Sequence, residues 1–336
     1  MVHVVLDAMG GDNAPGEIVK GAIEALKGSQ SIKITLCGRE ADIKAELEGC
    51  DYPRDRVEIV DAQEVISTEE APVMAIRRKK ESSIVKGLNL VKEKKADAFV
   101  SAGSSGAILV GGQLIVGRIK GVERPPLAPL IPSTTPKGVS LIIDCGANVD
   151  ARSSHLVQFA KMGSIYMEHV IGVKNPRVAI VNIGAEEEKG NMLVKETFPL
   201  LKNCPDINFI GSIEAREIPN GGADVIVCEA FVGNVILKMY EGVGKMILKS
   251  IKGALMGSTL GKIGGLLIKP SLKGVMKTFD ATEYGGAPLL GLNGLVVKVH
   301  GNATAKEVSN AIMQCVTFKE QNINQRIADK IIIKDE

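Results

Sequence analysis

Runs of β-branched and aliphatic residues recur along the chain at positions 2–6, 32–37, 57–60, 98–101, 141–143, 178–182, 207–210, 225–228 and 295–299. Most are apolar throughout instead of alternating, which is the pattern of strands covered on both faces. Between many of them lie stretches with helical spacing, such as 16–27, 84–95, 155–170 and 191–202. This alternation predicts an α/β chain: a three-layer αβα sandwich around a mostly parallel, mixed sheet. No short repeat or low-complexity tract interrupts it. Residues 1–336 read as a single α/β unit, with two intertwined subdomains as the alternative and the Pro-rich stretch 125–136 as the best candidate for a hinge.

Five of the strands end in small or glycine-bearing loops that open helices. They run from Asp7 to Asp12 with Gly10 and Gly11, from Ser101 to Gly106 with Gly103, Ser104 and Ser105, from Asp144 to Asn148, from Asn182 to Lys189, and from Cys228 to Asn234. In a parallel sheet such junctions share the carboxyl edge, where ligands bind. Loop glycines let backbone N–H groups approach closely and helix N-termini add partial positive charge, so phosphate is a natural ligand. Neither G-x-G-x-x-G nor G-x-x-x-x-G-K-[ST] occurs, so a dinucleotide or P-loop site has no motif behind it.

Composition narrows the field. Net charge is +2, which commits the whole chain to no polyanion, and with 3% aromatic residues and no Trp a base-stacking surface is disfavoured; no nucleic-acid partner is expected. The six cysteines lie far apart with no C-x-x-C, the pattern of reduced thiols in a cytoplasmic protein. Met1 leads straight into a strand-like run, so the mature protein is expected to begin there. Residues 98–117 carry no charge over a membrane-spanning length, but their glycines and serines divide them into a strand and a separate helix. Residues 242–279 hold seven lysines and no acid, interleaved with Leu, Ile, Val and Met, and predict a basic amphipathic helical hairpin lying on an anionic bilayer or forming a dimer interface.

The five loops in this order, together with Arg77-Arg-Lys-Lys-Glu-Ser-Ser83, Gly286-Ala-Pro-Leu-Leu-Gly-Leu-Asn-Gly294 and His300-Gly301, resemble the bacterial phosphate acyltransferase of phospholipid synthesis, the PlsX family. The likeness runs from Asp7 to His300. It implies a catalytic α/β unit with a fold like the isocitrate and isopropylmalate dehydrogenases. It also implies transfer of a fatty acyl group from acyl carrier protein to inorganic phosphate, giving acyl phosphate for a downstream glycerol-3-phosphate acyltransferase. A homodimer, cytoplasmic and peripherally bound to an anionic membrane surface, with no cofactor and no metal, completes the implied picture. Where the family commonly has Asn-Thr this chain has Ser104 and Ser105, and where it has Asp-Gly this chain has Glu229 and Ala230.

Transfer to phosphate needs two reactants held together and an oxyanion stabilised at the thioester carbonyl. On the resemblance, Lys189 and Asn234 are the catalytic pair. Asp7, Gly10, Gly11, Ser101, Gly103, Ser104, Ser105, Gly106, Asp144, Asn148, Asn182 and His300 are substrate-binding. From the residues alone, Lys189 equally suits a pair with Glu186 or Glu187, and Asn234 suits a helix cap. Cys145 at a strand end reads as packing rather than as an acyl-accepting nucleophile, and the basic run at Arg77 begins a helix that either meets an acidic carrier or is a solvated face. A decarboxylating dehydrogenase, a coenzyme-A-dependent acetyltransferase and a membrane scaffold are the rival readings. The first needs a metal-binding acid set and an Arg cluster that the sequence does not show.

Overall fold

The computed structural model describes residues 1–278 and 281–331, with side chains for 1–268 and 283–331. Among them the strands form two mixed sheets, not the one that was expected. The first contains β1 (Val2–Asp7), β2 (Ile32–Gly38), β3 (Val57–Asp61), β4 (Ala98–Ser101), β10 (Ala287–Leu289) and β11 (Leu295–Lys298), in the order β10-β11-β4-β1-β2-β3. The second contains β5 (Leu130–Pro132), β6 (Val139–Ile143), β7 (Arg177–Val181), β8 (Asn208–Ile213) and β9 (Val225–Val227), in the order β5-β6-β9-β7-β8. In each sheet one edge strand, β10 or β5, is antiparallel and the rest are parallel. Apolar runs report burial on both faces but not which strand lies beside which, so the division into two sheets was not visible in the pattern.

Helices flank both sheets: α1 (Gly16–Gly28), α2 (Glu40–Leu47), α3 (Pro72–Arg78), α4 (Ser83–Lys92), α5 (Ser105–Gly111), α6 (Ser153–Tyr166), α7 (Met192–Lys202), α8 (Ala230–Met256), α9 (Thr259–Thr278), α10 (Ala305–Glu320) and α11 (Ile323–Ile331). The strands are as buried as their composition demands. Val4, Val5 and Leu6 of β1 are fully buried, each contributing about 1.5–3 kcal/mol of apolar transfer.

The stretch expected as a hinge is fastened on both sides. Ala128 N–H donates to the Pro288 carbonyl and Leu290 N–H to the Pro126 carbonyl, both at 3.0 Å, while Ile142 and Cys145 N–H donate to the Pro129 and Leu127 carbonyls at 3.0 and 2.9 Å. Residues 126–129 therefore stitch β10 of the first sheet to β6 of the second. Lys238 of α8 acts through its field on both Cys145, just after β6, and Lys298, at the end of β11, so the carboxyl edges of the two sheets share one neighbourhood.

The uncharged stretch 98–117 is β4, α5 and a final wide helical turn, Gly112–Val116. No helix among the described residues is long and apolar enough to cross a membrane. The basic segment does form a helical hairpin, but α8 starts at Ala230, well before the first residue expected. Only Ala230 and Gly233 of its 27 residues are buried. Phe279 and the side chains of Lys269, Lys273 and Lys277, part of the same expectation, lie outside the described residues and side chains.

Candidate active site

At the first carboxyl edge, Lys298 of β11 lies beside Ser101 of β4, and Asp7 of β1 follows the Leu6–Val100 pair, so the three residues form one row across adjacent strands. Ser101 Oγ donates to Asp7 Oδ2 at 2.6 Å and accepts from Gly103 N–H at 3.0 Å, and Met9 N–H donates to Asp7 Oδ1 at 3.2 Å. Asp7 thus fastens the loops after β1 and β4 to each other. Burial pushes its carboxyl above the usual range, while the Ser101 and Ser83 hydroxyls and the Met9 and Gly10 N–H groups pull it back. The loops touch so closely that a Cβ on Gly10 would come 2.7 Å from Gly103 N. Gly11, at φ +95°, turns the chain so that Asp12 N–H reaches the Gly301 carbonyl at 2.7 Å. His300 sits at the same edge with its N–H given to Glu307 Oε1 at 2.9 Å. Ser104 caps α5 through Ala107 N–H at 3.4 Å, whereas Ser105 is exposed.

The second edge repeats the device. Asp144, fully buried after β6, accepts at Oδ1 from Leu127 N–H (2.9 Å) and Ala147 N–H (3.3 Å). At Oδ2 it accepts from Asn148 N–H and Asn148 Nδ2, both at 2.7 Å. Burial pushes this carboxyl up to about 6 against the pull of those four donors. Asn148 Nδ2 also donates to the Pro125 carbonyl at 2.9 Å, which ties the loop to the seam between the sheets. Ala147 packs against the core cluster of the first sheet, to which Ala107 and Ile108 of α5 also belong.

The root of α8 closes over Asp144. Ala230 N–H donates to the Asn148 carbonyl at 3.1 Å, and a Cβ on Gly233 would stand 2.0 Å from the Asp144 carbonyl oxygen, a contact only glycine permits. Glu229 caps the helix, accepting from Phe231 N–H at 2.5 Å and Val232 N–H at 3.0 Å. The family's Asp-Gly therefore becomes Glu-Ala here without loss of the cap, since Ala230 is already helical. Because Glu229 occupies those N–H groups, this helix end is not open to phosphate. Asn234 is not the cap; it lies in the first turns of α8, exposed, with no side-chain hydrogen bond among the described residues.

Asn182, at the end of β7, spends its side chain on loop structure. Nδ2 donates to the Lys189 carbonyl at 3.2 Å and to Ser212 Oγ at 3.1 Å, and Oδ1 accepts from Ile183 N–H at 2.8 Å. Lys189 is half exposed and pairs with Glu186 Oε1 at 2.9 Å, in the loop ahead of α7 and not in its first turn, because Asn191 caps that helix.

Cys145 and Cys228 are buried; burial pushes the Cys145 thiol up to about 12 and the Cys228 thiol well above its ordinary value. Neither is an available thiolate nucleophile. Among the described residues no three His, Cys, Asp or Glu group as metal ligands.

Two residues escaped the sequence reading: Ser83, whose only signal was its place in the Arg77–Ser83 motif, and Lys298, which lay inside the strand-like run 295–299. The basic run itself ends α3 instead of beginning a helix. Arg77, Arg78 and Lys80 are exposed while Lys79 pairs with Glu70 at 2.8 Å. Pro72 at the start of α3 faces Gly106 so closely that a Cβ there would meet its Cγ at 2.5 Å, while Ile76 near its end faces Gly111, so α3 runs alongside α5 with the basic run at the end away from the serine loop.

A family model described as "Fatty acid synthesis protein" matches residues 2–326. Proteins named phosphate acyltransferase are similar over nearly the whole length. One from Clostridium tetani is 50% identical over 331 residues, covering 98% of each chain, and one from Alkaliphilus oremlandii is 52% identical over 330 residues, covering 98% of this chain and 97% of that one. Among solved structures, a phosphotransacetylase from Streptococcus pyogenes superposes with a TM-score of 0.62 at 18% identity, covering 95% of this chain and 94% of that one, a likeness of fold alone.

Proposed function

The chain belongs to the fatty acid synthesis protein family, whose members similar to it are named phosphate acyltransferases, and from that premise we propose that it moves a fatty acyl group from the thioester of acyl carrier protein to inorganic phosphate. A phosphate oxygen attacks the thioester carbon, the tetrahedral oxyanion collapses, the C–S bond breaks, and acyl phosphate and the carrier thiol leave. The observation that carries this reading is the paired carboxyl edge. Two buried aspartates, Asp7 and Asp144, fix loops of small and hydroxyl-bearing residues from two sheets around one neighbourhood, with no reactive thiol among the cysteines there. Such a site positions reactants and lends hydrogen bonds, which is what direct transfer requires.

In this reading Gly10, Gly11, Gly103, Ser104, Ser105 and Gly106 cradle phosphate, and His300 borders it. Asp7, Ser101, Asp144, Asn148 and Asn182 hold the loops in place. Asn234, whose amide is uncommitted, donates to the developing oxyanion. Lys189 adds charge only by exchanging Glu186 for substrate. The exposed Arg77, Arg78 and Lys80 at the end of α3, which runs alongside α5, offer an acidic carrier protein a docking surface. The α8–α9 hairpin exposes Met246, Ile247, Leu260, Ile263, Leu266 and Leu267 among lysines, which suits an anionic membrane surface or a second copy of the chain, and a membrane-bound acyltransferase acting on glycerol 3-phosphate would consume the product there. A cytoplasmic, peripherally bound homodimer and the dehydrogenase-like fold of the family resemblance belong to the same proposal.

The test is incubation of the purified protein with phosphate and either acyl carrier protein or coenzyme A thioesters of several chain lengths, with mass detection of acyl phosphate. Long-chain acyl phosphate from the carrier thioester is expected. Absence of acyl phosphate with every carrier thioester would overturn the reading, and preference for short coenzyme A thioesters would replace the donor.

A further inference from the structure

We propose that Lys298 is the cation that faces the phosphate substrate, a binding residue of the site described above; the proposal rests on transfer to phosphate being the reaction. Lys298 ends β11 in register with Ser101, and Asp7 completes the row, so its side chain leaves the sheet on the same face as theirs. Residues in register on parallel strands share a face. Lys298 therefore stands over the edge from which the serine loop departs.

Its environment is unusual for an ammonium. The side chain is largely buried, and among the described residues its one hydrogen bond runs to the neighbouring Val299 carbonyl, with no acid within ion-pair distance. An ammonium has three donors, and burying it without an anion is costly. The nearby acids are engaged or stand off. Asp7 holds Ser101 and Met9, Glu307 on α10 receives the His300 N–H, and Asp12 acts on Lys298 only through its field. Lys238 on α8 also faces it and repels it, although Lys238 is itself paired with Glu241 at 3.1 Å. By contrast, Lys189 and Lys202 each reach an acid at 2.9 and 2.7 Å on the exposed surface. A buried cation with unspent donors, at a loop of N–H and hydroxyl groups, is matched by a compact multivalent oxyanion. Inorganic phosphate meets that description, and a carboxylate would leave donors unfilled.

The position also gives the site a pH limit. Burial is the largest influence on the Lys298 ammonium and pushes it down to about 8; Glu307, Asp12 and Asp7 favour the cation, and Lys238 opposes it. The charged form is present below that value and lost as pH rises through it, so phosphate capture by the free enzyme weakens on the alkaline side.

The experiment compares the full-length parent with Lys298→Met and Lys298→Arg, each first shown to melt cooperatively. Phosphate binding is measured by calorimetry without thioester, and kcat/KM for phosphate and for thioester is measured across pH 6.5–9.5. Expected for Lys298→Met is a loss of about 10²-fold in phosphate affinity, the scale of one charge-assisted hydrogen bond, with KM for thioester within about threefold of the parent. The parent's kcat/KM should fall above about pH 8, and in Lys298→Arg that fall should disappear, because a guanidinium stays charged. Unchanged phosphate affinity in Lys298→Met, or an alkaline limb that persists in Lys298→Arg, would overturn the proposal. A parent that binds phosphate but forms no acyl phosphate would count against the reaction and leave Lys298 as an anion-binding residue, so the two failures are distinguishable. If Lys298→Met does not fold, the Arg variant's pH profile decides alone.

Discussion

The two carboxyl edges solve one problem with the same part and then diverge. At each, a buried aspartate at the end of a strand collects donors from the loops around it: Asp7 takes Ser101 Oγ and Met9 N–H, and Asp144 takes the N–H groups of Leu127, Ala147 and Asn148 with the Asn148 amide. The first edge then adds glycines, serines and a cation, the groups that would hold phosphate in the proposed reaction. The second adds the root of a long exposed helix and an uncommitted amide at Asn234, which in the proposed reaction would donate to the oxyanion. The difference teaches that the aspartates are fasteners and that chemistry is carried by what they fasten. A carboxylate whose two oxygens are both engaged by loop donors has little left to offer a substrate, and beside phosphate its charge would repel.

The sharpest way to break this division is to remove the second edge's donor. Asn234→Ala should lower turnover by about 10²–10³-fold with folding intact, the usual scale for a preorganised oxyanion contact. Near-normal steady-state rates would take Asn234 out of the chemistry and leave the second edge purely structural. Next comes the hairpin that this edge roots. Neutralising three of the exposed Lys245, Lys249, Lys252 and Lys262 should weaken binding to anionic vesicles by roughly 3 kcal/mol, at about 1 kcal/mol each, while turnover on soluble substrate persists. Sedimentation with vesicles that does not change would reject a membrane role for these lysines.

The fastener itself can be tested at Asp144. Its carboxyl is raised to about 6 in the folded chain from 3.8, so the folded state binds the proton more tightly than the unfolded one. That contribution is complete below about pH 4 and is lost as pH rises through 6, amounting to about 3 kcal/mol over the window. Asp144→Asn removes the titration and sets an amide against the Asn148 donors, at a cost of about 1–3 kcal/mol. Denaturant unfolding from pH 4 to 7 should show the parent's advantage over the variant shrinking as pH rises, and a constant difference would mean that Asp144 does not titrate there. The smallest effect is expected at Cys145→Ala. A buried thiol pushed up to about 12 is packing, so turnover should stay within about twofold if the fold survives the small cavity. A dead but folded variant would show that the thiol has a further role.

Much of the fold was legible because burial writes itself into composition. The strands at Val2, Ile32 and Ala98 and the helices at Ser153 and Met192 follow directly from apolar runs and helical spacing. Pairing does not. The division into two sheets depends on which strands pair, and the pairing of β4 with β11 and the stitching of Pro126 to Leu290 join residues more than 150 positions apart, which no local pattern encodes. At the site, the aspartates and the small-residue loops announced themselves by position after strands. Lys298 did not, since a lysine inside the apolar run 295–299 shows nothing of its neighbours until the register sets it beside Ser101. Lys189 shows the reverse: the family resemblance made it a charge aimed at substrate while the residues alone equally allowed a pair with Glu186 or Glu187, and the structure pairs it with Glu186.

The central claim is that the two edges bring phosphate and thioester together for direct attack, with no acyl group parked on the protein. The most direct measurement is exchange of isotopically labelled carrier thiol into acyl carrier thioester with phosphate rigorously removed. Direct transfer predicts no exchange until phosphate is added, because nothing cleaves the C–S bond before then. Exchange without phosphate at a rate comparable to turnover would require a covalent acyl-enzyme and contradict the account.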